Sequence, residues 1–352
     1  MKHAKAFAVF ALTTGTLLWA CTGVFVKHFA LADIDPDVQN LYRYISATIG
    51  LWAIVLWRFG GEAIHAWRRW PVFLIPTALN CAFQTSMVGA LYHRSIYPAF
   101  SNLLGKSSVL FAVVLAFMLF RDERRTILSW RYLVGSALAV IGVIGVIAFG
   151  DNGATAEHTA AGERDFVFGV TLVLTQAFLW ACYTLSMKRM VRHTRPLVGF
   201  SIIATFTTGY FLLRTILRSS LPAPFFSDHA LFQTLTGTQP DGFLPAQFLA
   251  IGLREQIMVI TSGLAFIAVA HSLYFRAVQR LGVGICASFL LVQPFAAAVI
   301  SWLWHGEVLR PGQVVMGLIL LSGAALIIIT RNPPVRKPAL PKGEAGSAPA
   351  SD

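Results

Sequence analysis

Residues Ser101 to Arg125 read SNLLGKSSVLFAVVLAFMLFRDERR, a run that begins polar, continues apolar and ends at a cluster of charges. This length and composition predict a helix that crosses a membrane. Lys106 lies inside the run, and placing a lysine near the middle of a bilayer costs about 2.5–3.5 kcal/mol on insertion scales. Its side chain must therefore face protein or water. Asn102 lies one turn earlier on the same helical face, so the helix presents a polar face to its neighbours.

The composition of the whole chain is that of a membrane protein. Of its 352 residues, 56% are hydrophobic and 12% are charged, and that charged fraction is about half of what a soluble domain carries. A net charge of +12 can indicate nucleic-acid binding. Here, however, the basic residues flank the apolar blocks on alternate sides, which is a topology signal, so no nucleic acid is expected as a partner. The four cysteines have no metal-ligand spacing, and no cofactor is expected.

Ten apolar blocks are each long enough to cross about 30 Å of hydrocarbon as a helix. Because the blocks are too long and too uniformly apolar for barrel strands, the chain is predicted to be an all-α integral membrane protein with ten transmembrane helices. The predicted spans are 6–30, 38–57, 70–92, 99–120, 128–149, 166–187, 196–217, 256–277, 282–304 and 312–330.

The distribution of basic residues predicts the orientation of the chain. With the N-terminus inside, 19 Lys and Arg residues fall on the inner side and seven on the outer side, while Arg43 and Lys106 lie within the membrane. This asymmetry favours a cytoplasmic position for both termini. The chain is thus predicted to be a multi-pass protein of the inner or plasma membrane.

The two halves of the chain repeat one another. Residues 18–21 and 179–182 both read LWAC, and each is followed at the same distance by a lysine. The fourth and ninth spans each close with a glutamate, Glu123 and Glu307. Since five spans per repeat is an odd number, the second copy inserts upside down, which is a recurring architecture of transporters with a midplane site.

The repeats predict how the chain is divided. The second half includes a long outer loop at 220–255, in which an interfacial helix is expected near residues 243–253. The final segment is rich in Pro, Ala, Lys and Gly, a composition that does not support a packed core. The predicted division is a first five-helix repeat at 6–149, an outer linker at 150–165, a second five-helix repeat at 166–330 and a disordered cytoplasmic tail at 331–352.

Polar and aromatic residues on further helices share single helical faces that can converge with Lys106. Together they would make an amphipathic cavity with amide, aromatic and cationic contacts, which is typical of small-molecule sites. The alternative is that the Asn and Gln side chains only hydrogen-bond between helices, at roughly 0.6 kcal/mol each. The candidate substrate-binding residues are Lys106, Asn102, Asn80, Gln84, Gln293, Trp180 and Tyr183.

Several features occur in a fixed order along the chain: Arg43 in the second span, Glu123 and Glu307 after the fourth and ninth, and the glycine pairs Gly135/Gly142 and Gly317/Gly323 in the fifth and tenth. In this order and spacing the chain resembles the EamA-type family of the drug/metabolite transporter superfamily. The resemblance covers residues 6–330. It implies a ten-helix exporter or exchanger of small metabolites, with a central cavity lined mainly by the first, third, fourth, sixth, eighth and ninth helices.

The chain departs from that family pattern at three places. Its fourth span has Lys106 and two serines, and no proline, where the ninth span has Pro294. Its seventh span has Ala204 where an arginine would match Arg43. Its outer loop at 220–255 is longer than the family needs. The departures leave the predicted fold intact. They affect only what the family resemblance can imply about the substrate.

Two other classes of protein compete with a transporter. An intramembrane enzyme is disfavoured, because Ser262 and His271 are nine residues apart on one helix and point to opposite faces, and no zinc motif occurs. A membrane-embedded sensor or scaffold without transport is the remaining alternative, since the outer loop could bind a partner. Arg43 is expected to pair with Asp35 or Asp37, or to snorkel towards the interface.

The favoured function is transport by alternating access of a small polar or amphipathic metabolite, such as an amino acid-like compound. The expected partners are that substrate and the lipid bilayer, and a homodimer stays open.

The predicted topology can be tested by labelling single cysteines with a membrane-impermeant reagent in intact cells. Cysteines at Asn152 and Thr238 should react from outside, and those at Arg124 and Lys337 should react only after permeabilisation, because of the basic asymmetry. Labelling of a Lys337→Cys variant from outside would contradict the orientation.

Overall fold

The computed structural model of the chain describes residues 2–119, 124–150, 160–191, 194–221 and 242–331. Within these ranges the regular secondary structure is helical throughout. Ten long helices account for most of it: α1 (Lys2–Leu31), α2 (Pro36–Phe59), α3 (Trp70–Tyr92), α4 (Pro98–Leu119), α5 (Trp130–Ala148), α6 (Ala160–Val191), α7 (Pro196–Ser220), α8 (Leu253–Leu281), α9 (Val283–Phe289, Leu290–Val292 and Gln293–His305) and α10 (Pro311–Arg331).

The all-helical membrane fold is confirmed. Among the described residues, nine helices are long and apolar enough to cross a membrane, and these are all of the ten except α2. At 24 residues and about 1.5 Å per residue, α2 is about 36 Å long, which also suffices. Its lower hydropathy comes from buried polar residues in its first half: Asp37, Gln39, Asn40 and Arg43.

Proline marks the starts of several helices. Pro36, Pro98, Pro196 and Pro311 each lie at the first residue of α2, α4, α7 and α10. The N–H that proline lacks would have no partner at that position, and its fixed φ angle suits the first turn. In α2 the start is reinforced by Asp35, whose carboxylate accepts hydrogen bonds from the backbone N–H groups of the first turn.

Some predicted boundaries fall differently in the structure. Helix α6 begins at Ala160, six residues before the predicted span. The helix expected near residues 243–253 is present as Leu244–Ala250. Most of the predicted linker, residues 151–159, lies outside the described residues, as do residues 222–241 of the outer loop and the tail at 332–352.

The helices pack in the pattern expected of two inverted repeats. Exchanging each helix with the one five places later maps the most extensive contacts onto one another: α1 packs on α8 as α6 packs on α3, and α1 packs on α9 as α6 packs on α4. Helices α2 and α7 pack on each other, and so do α5 and α10. A two-fold relation between the repeats accounts for these pairings, because counterpart helices that contact each other meet at its axis.

The closest of these contacts joins α5 and α10. A Cβ atom on Gly142 would lie 2.6 Å from the Cα of Leu320, and one on Gly135 would lie 3.0 Å from the carbonyl oxygen of Gly323. Glycine on both helices therefore lets the two backbones meet, which is how small residues promote packing in lipid.

This contact predicts the effect of adding a single methyl group. Gly142→Ala should lower the free energy of unfolding by about 1–3 kcal/mol, because the new methyl group overlaps the backbone of α10, which cannot move aside as a side chain could. Thermal unfolding of the purified protein in detergent measures the change. Gly209→Ala is the matched control, because an added Cβ there meets nothing within 4 Å. Equal melting temperatures for the two variants would contradict the prediction.

Candidate functional site

Helices α4 and α9 are interrupted at equivalent points. Each consists of a seven-residue α-helix, a three-residue 3-10 turn and a longer α-helix, with the turns at Gly105–Ser107 in α4 and Leu290–Val292 in α9. In α9 the cause is Pro294, which has no N–H for the carbonyl of Leu290. That carbonyl instead accepts from the N–H of Gln293. Interrupted helices at matching positions of two repeats are where transporters place their substrate sites.

A hydrogen-bonded chain joins the two interruptions. The ammonium group of Lys106, in the α4 turn, donates to Oε1 of Gln293 at 2.9 Å. The Nε2 of Gln293 donates to Oδ1 of Asn102 at 3.2 Å, and Nδ2 of Asn102 donates to the carbonyl of Pro98 at 3.0 Å. The structure thus brings together three of the seven candidate residues, from two repeats.

The charge of Lys106 meets no opposite charge among the described residues. Its partner Gln293 is a neutral amide, and no carboxylate among the described side chains forms a salt bridge with it. A neutral partner satisfies one donor of the ammonium group but does not offset the cost of removing a full charge from water.

Gln176 of α6 adjoins the same turn. Its Nε2 would lie 3.5 Å from a Cβ atom on Gly105, and its Oε1 is buried without a hydrogen-bond partner among the described residues. The candidate set omitted Gln176, although its position one turn before Trp180 placed it on the same helical face.

Asn80 and Gln84 of α3 are placed differently from Lys106. Asn80 is only 3% exposed. Its Nδ2 donates to the hydroxyls of Tyr44 and Thr207 at 3.1 and 3.0 Å. Asn80 thereby ties α3 to α2 and α7. The Oε1 of Gln84 is buried and accepts no hydrogen bond from the described residues.

Trp180 and Tyr183 form an aromatic group at the interface of α3 and α6. Their ring centroids are 5.5 Å apart, and Phe83 of α3 lies 5.1 Å from Trp180. Tyr183 is 5% exposed and packs with Phe73 and Met187 in an apolar cluster.

The prediction that Arg43 pairs with Asp35 or Asp37 is wrong. Asp35 and Asp37 bind arginines of α7 instead: Arg214 lies 2.7 Å from Asp37, and Arg218 contacts both carboxylates, at 3.0 Å from Asp35. Arg43 is fully buried, and its guanidinium nitrogens have no hydrogen-bond partner among the described residues.

The backbone around Arg43 is also unusual. Helix α8 is a π-helix over Gly263–Val269, and a Cβ atom on Gly263 would lie 2.8 Å from the carbonyl carbon of Arg43. π-Helical turns within α-helices occur frequently at functional sites. His271, one turn beyond, stacks on Phe200 at 4.0 Å, and its Nδ1 lies 2.8 Å from the carbonyl of Ile267, as expected of a core histidine.

Two charged groups hold together the end of the bundle where α4 begins. The carboxylate of Glu307 accepts from the backbone N–H groups of Ala99 and Phe100 at 2.8 and 3.0 Å and from the hydroxyl of Ser301. Lys27, 2% exposed, donates to the carbonyl of His93 at 2.7 Å. Burial raises the pKa of Glu307, while the hydrogen bonds that it accepts act in the opposite direction.

These interactions give Glu307 the role of a helix cap contributed by the other repeat. A carboxylate at a helix N-terminus meets unpaired N–H groups and the positive end of the helix dipole. Sequence reasoning placed Glu307 at a helix end but could not show that the helix it caps is α4, because the contact spans more than 200 residues.

The broken helices, their inverted arrangement and the polar chain between them define a class of protein, the polytopic membrane transporters. The profile of the EamA-like transporter family matches residues 6–148 and again residues 167–329. The chain therefore belongs to the EamA-like transporter family, as its sequence motifs suggested.

The chain is similar to two curated relatives and to a solved structure. It is 22% identical over 232 residues to an uncharacterized transporter of Haemophilus influenzae, covering 66% of each chain. It is 29% identical over 192 residues to an uncharacterized transporter of Archaeoglobus fulgidus, covering 54% of this chain and 59% of that one. The matches thus span less than two thirds of the length of either relative. A solved crystal structure superposes with a TM-score of 0.58 at 16% identity, over 92% of this chain and 97% of that one, which shows the shared fold.

The capping role of Glu307 leads to a stability prediction. Glu307→Ala should lower the free energy of unfolding by about 2 kcal/mol or more, because the N–H groups of Ala99 and Phe100 stay buried and lose their acceptor. Glu307→Gln keeps one acceptor oxygen, so its free energy of unfolding should lie between those of Glu307→Ala and the wild type. Melting temperatures in detergent measure both changes.

Glu255→Ala is the matched control, because it also removes a carboxylate from the first turn of a helix. Glu255 belongs to that helix, α8, and accepts no hydrogen bond from a described backbone N–H group, so only the dipole contribution of about 0.3–1 kcal/mol is lost. That variant should change the melting temperature little. A wild-type melting temperature for Glu307→Ala would contradict the capping role.

Proposed function

We propose that the protein transports a small polar or amphipathic metabolite with an anionic group, such as an amino acid-like compound, across the cell membrane. The two repeats alternate access to a site between α4 and α9, and the net direction is export or exchange. Both termini lie in the cytoplasm. The site consists of Lys106, Gln293 and Asn102, and Gln176 is added to it from its position beside Gly105.

The observation that carries this proposal is the contact between Lys106 and Gln293. A lysine in the middle of a membrane protein is costly, and its partner here supplies one hydrogen bond and no charge. An anionic group on a substrate would supply both a hydrogen bond and the opposite charge. The carboxylate or phosphate oxygen would take the place of the Gln293 amide oxygen, because charge-assisted hydrogen bonds are about twice as strong as neutral ones.

Competition for the Lys106 ammonium group also couples substrate binding to movement. The hydrogen bond from Lys106 to Gln293 links α4 of one repeat to α9 of the other. A substrate that binds Lys106 removes this link and leaves the two interrupted helices joined through the substrate instead. Binding therefore changes the contact between repeats at the point where their relative position decides which side is open.

The remaining candidate residues supply the less polar part of the site. Trp180 lies one turn from Gln176, and the free Oε1 of Gln84 offers a further acceptor on α3. Aromatic and amide groups of this kind bind the apolar body and neutral polar groups of a metabolite. Asn80 acts indirectly, by holding α3 through Tyr44 and Thr207.

Lys106→Met tests the proposal. The variant should express and melt like the wild type, because it removes a costly charge and keeps a side chain of similar length, but it should lose transport. The measurement compares metabolites in the culture medium of cells that express the wild type, the variant or no transporter. For a compound whose export depends on the wild-type transporter, the concentration in the medium of Lys106→Met cells should fall to that of cells with no transporter.

Arg68→Gln is the matched control, because it removes an exposed cation just before α3 and should leave transport unchanged. Normal export by Lys106→Met would contradict the proposed site. Failure of that variant to fold would contradict it as well, since the lysine would then be needed for structure.

A further inference from the structure

A basic pocket lies at one end of the bundle, away from the interrupted helices. It has a volume of about 290 Å³ and is lined by Phe7, Trp57, Arg58, Arg276, Gln279 and Arg280. The pocket therefore joins the first turns of α1 to the last turns of α2 and α8. These three helix ends lie at the same face of the membrane because each helix reverses the direction of the last.

The three arginines of this pocket form no salt bridge with any side chain that the structure describes. Among the described side chains, the salt bridges involve Asp35 and Asp37 at the other end of α2 and none of the pocket residues. Arg276 and Arg280 are one helical turn apart, where like charges repel. Arg58 adds a third guanidinium group to the same cavity. The pocket thus concentrates positive charge that no described carboxylate compensates.

The walls of the pocket face the lipid. Trp57 is 83% exposed on the outside of the bundle, and Phe7 is 44% exposed. Tryptophan at the end of a membrane helix sits at headgroup level, with its apolar ring towards the acyl chains. The combination of an open apolar wall and a basic floor indicates a ligand with an anionic head and an apolar body.

We propose that this pocket binds the phosphate of an anionic phospholipid, with the acyl chains against Trp57 and Phe7. Guanidinium groups bind phosphate oxygens in a bidentate geometry, and basic pockets between membrane helices bind anionic headgroups. A free phosphate ion would satisfy the arginines but would leave the aromatic wall unused, so the lipid is the ligand that matches the whole pocket. This inference does not rest on the proposed transport.

Native mass spectrometry of the full-length protein in detergent tests the inference. The protein is titrated separately with a phosphatidylglycerol, a phosphatidylcholine of the same acyl chains, and inorganic phosphate. The wild type should bind phosphatidylglycerol in preference to both others. In an Arg276→Gln/Arg280→Gln double variant the affinity for phosphatidylglycerol should fall about thirtyfold, which at 1.4 kcal/mol per tenfold is about 2 kcal/mol, the contribution of two basic side chains near an anionic surface.

The matched control is Arg68→Gln/Arg131→Gln, which removes two exposed arginines outside the pocket and should keep wild-type binding. A single Arg280→Gln variant, expected to lose about fivefold, replaces the double variant if that one does not fold. Three results would overturn the inference: equal binding of the two lipids by the wild type, equal binding of inorganic phosphate and phosphatidylglycerol, or unchanged binding in the pocket variants.

Discussion

The cost of placing the Lys106 ammonium group within the membrane is the constraint that accounts for the polar contact between the two repeats. Hydrocarbon offers no partner to an ammonium group, so the partner of Lys106 must come from the protein, from water or from a ligand. The partner found is an amide 187 residues away on the equivalent helix of the other repeat. Both helices interrupt their α-helical hydrogen bonding at that level. The polar groups are therefore concentrated where the two halves meet, and the outer surfaces of the helices stay apolar.

The inverted repeats explain how a chain with so little charge can keep buried polar groups. Each repeat pairs its first helix with helices of the other, and the counterparts α2 with α7 and α5 with α10 pair directly. The ion pairs of Asp35 and Asp37 with Arg214 and Arg218 lie between α2 and α7, and the Glu307 cap also crosses between repeats. These ion pairs and the cap are thus made across the boundary between halves. A single repeat would leave each of them incomplete.

The sequence predicts the helices and the repeats well, because both depend on local composition and on order along the chain. It also predicts the grouping of Lys106, Asn102 and Gln293, since helical periodicity and equivalence between repeats are enough to place them. It cannot choose among long-range partners: Asp35 and Asp37 are near Arg43 in sequence, yet arginines of α7 bind them because α2 and α7 pack together. The interruption of α9 is marked by Pro294, whereas the π-helix in α8 contains no proline and depends on packing against α2.

The glycine contact between α5 and α10 has a consequence for how the molecule can move. Backbone meets backbone at Gly135, Gly142 and Gly323, so at these points no side chain could change rotamer to allow sliding. They lie where counterparts meet, on the axis that relates the repeats. If the two halves exchanged conformations, as in the alternating access proposed above, a contact on such an axis would keep its partners. Under that proposal this pair would act as the pivot between the halves, and a bulky residue in it would hinder their movement as well as weaken the fold.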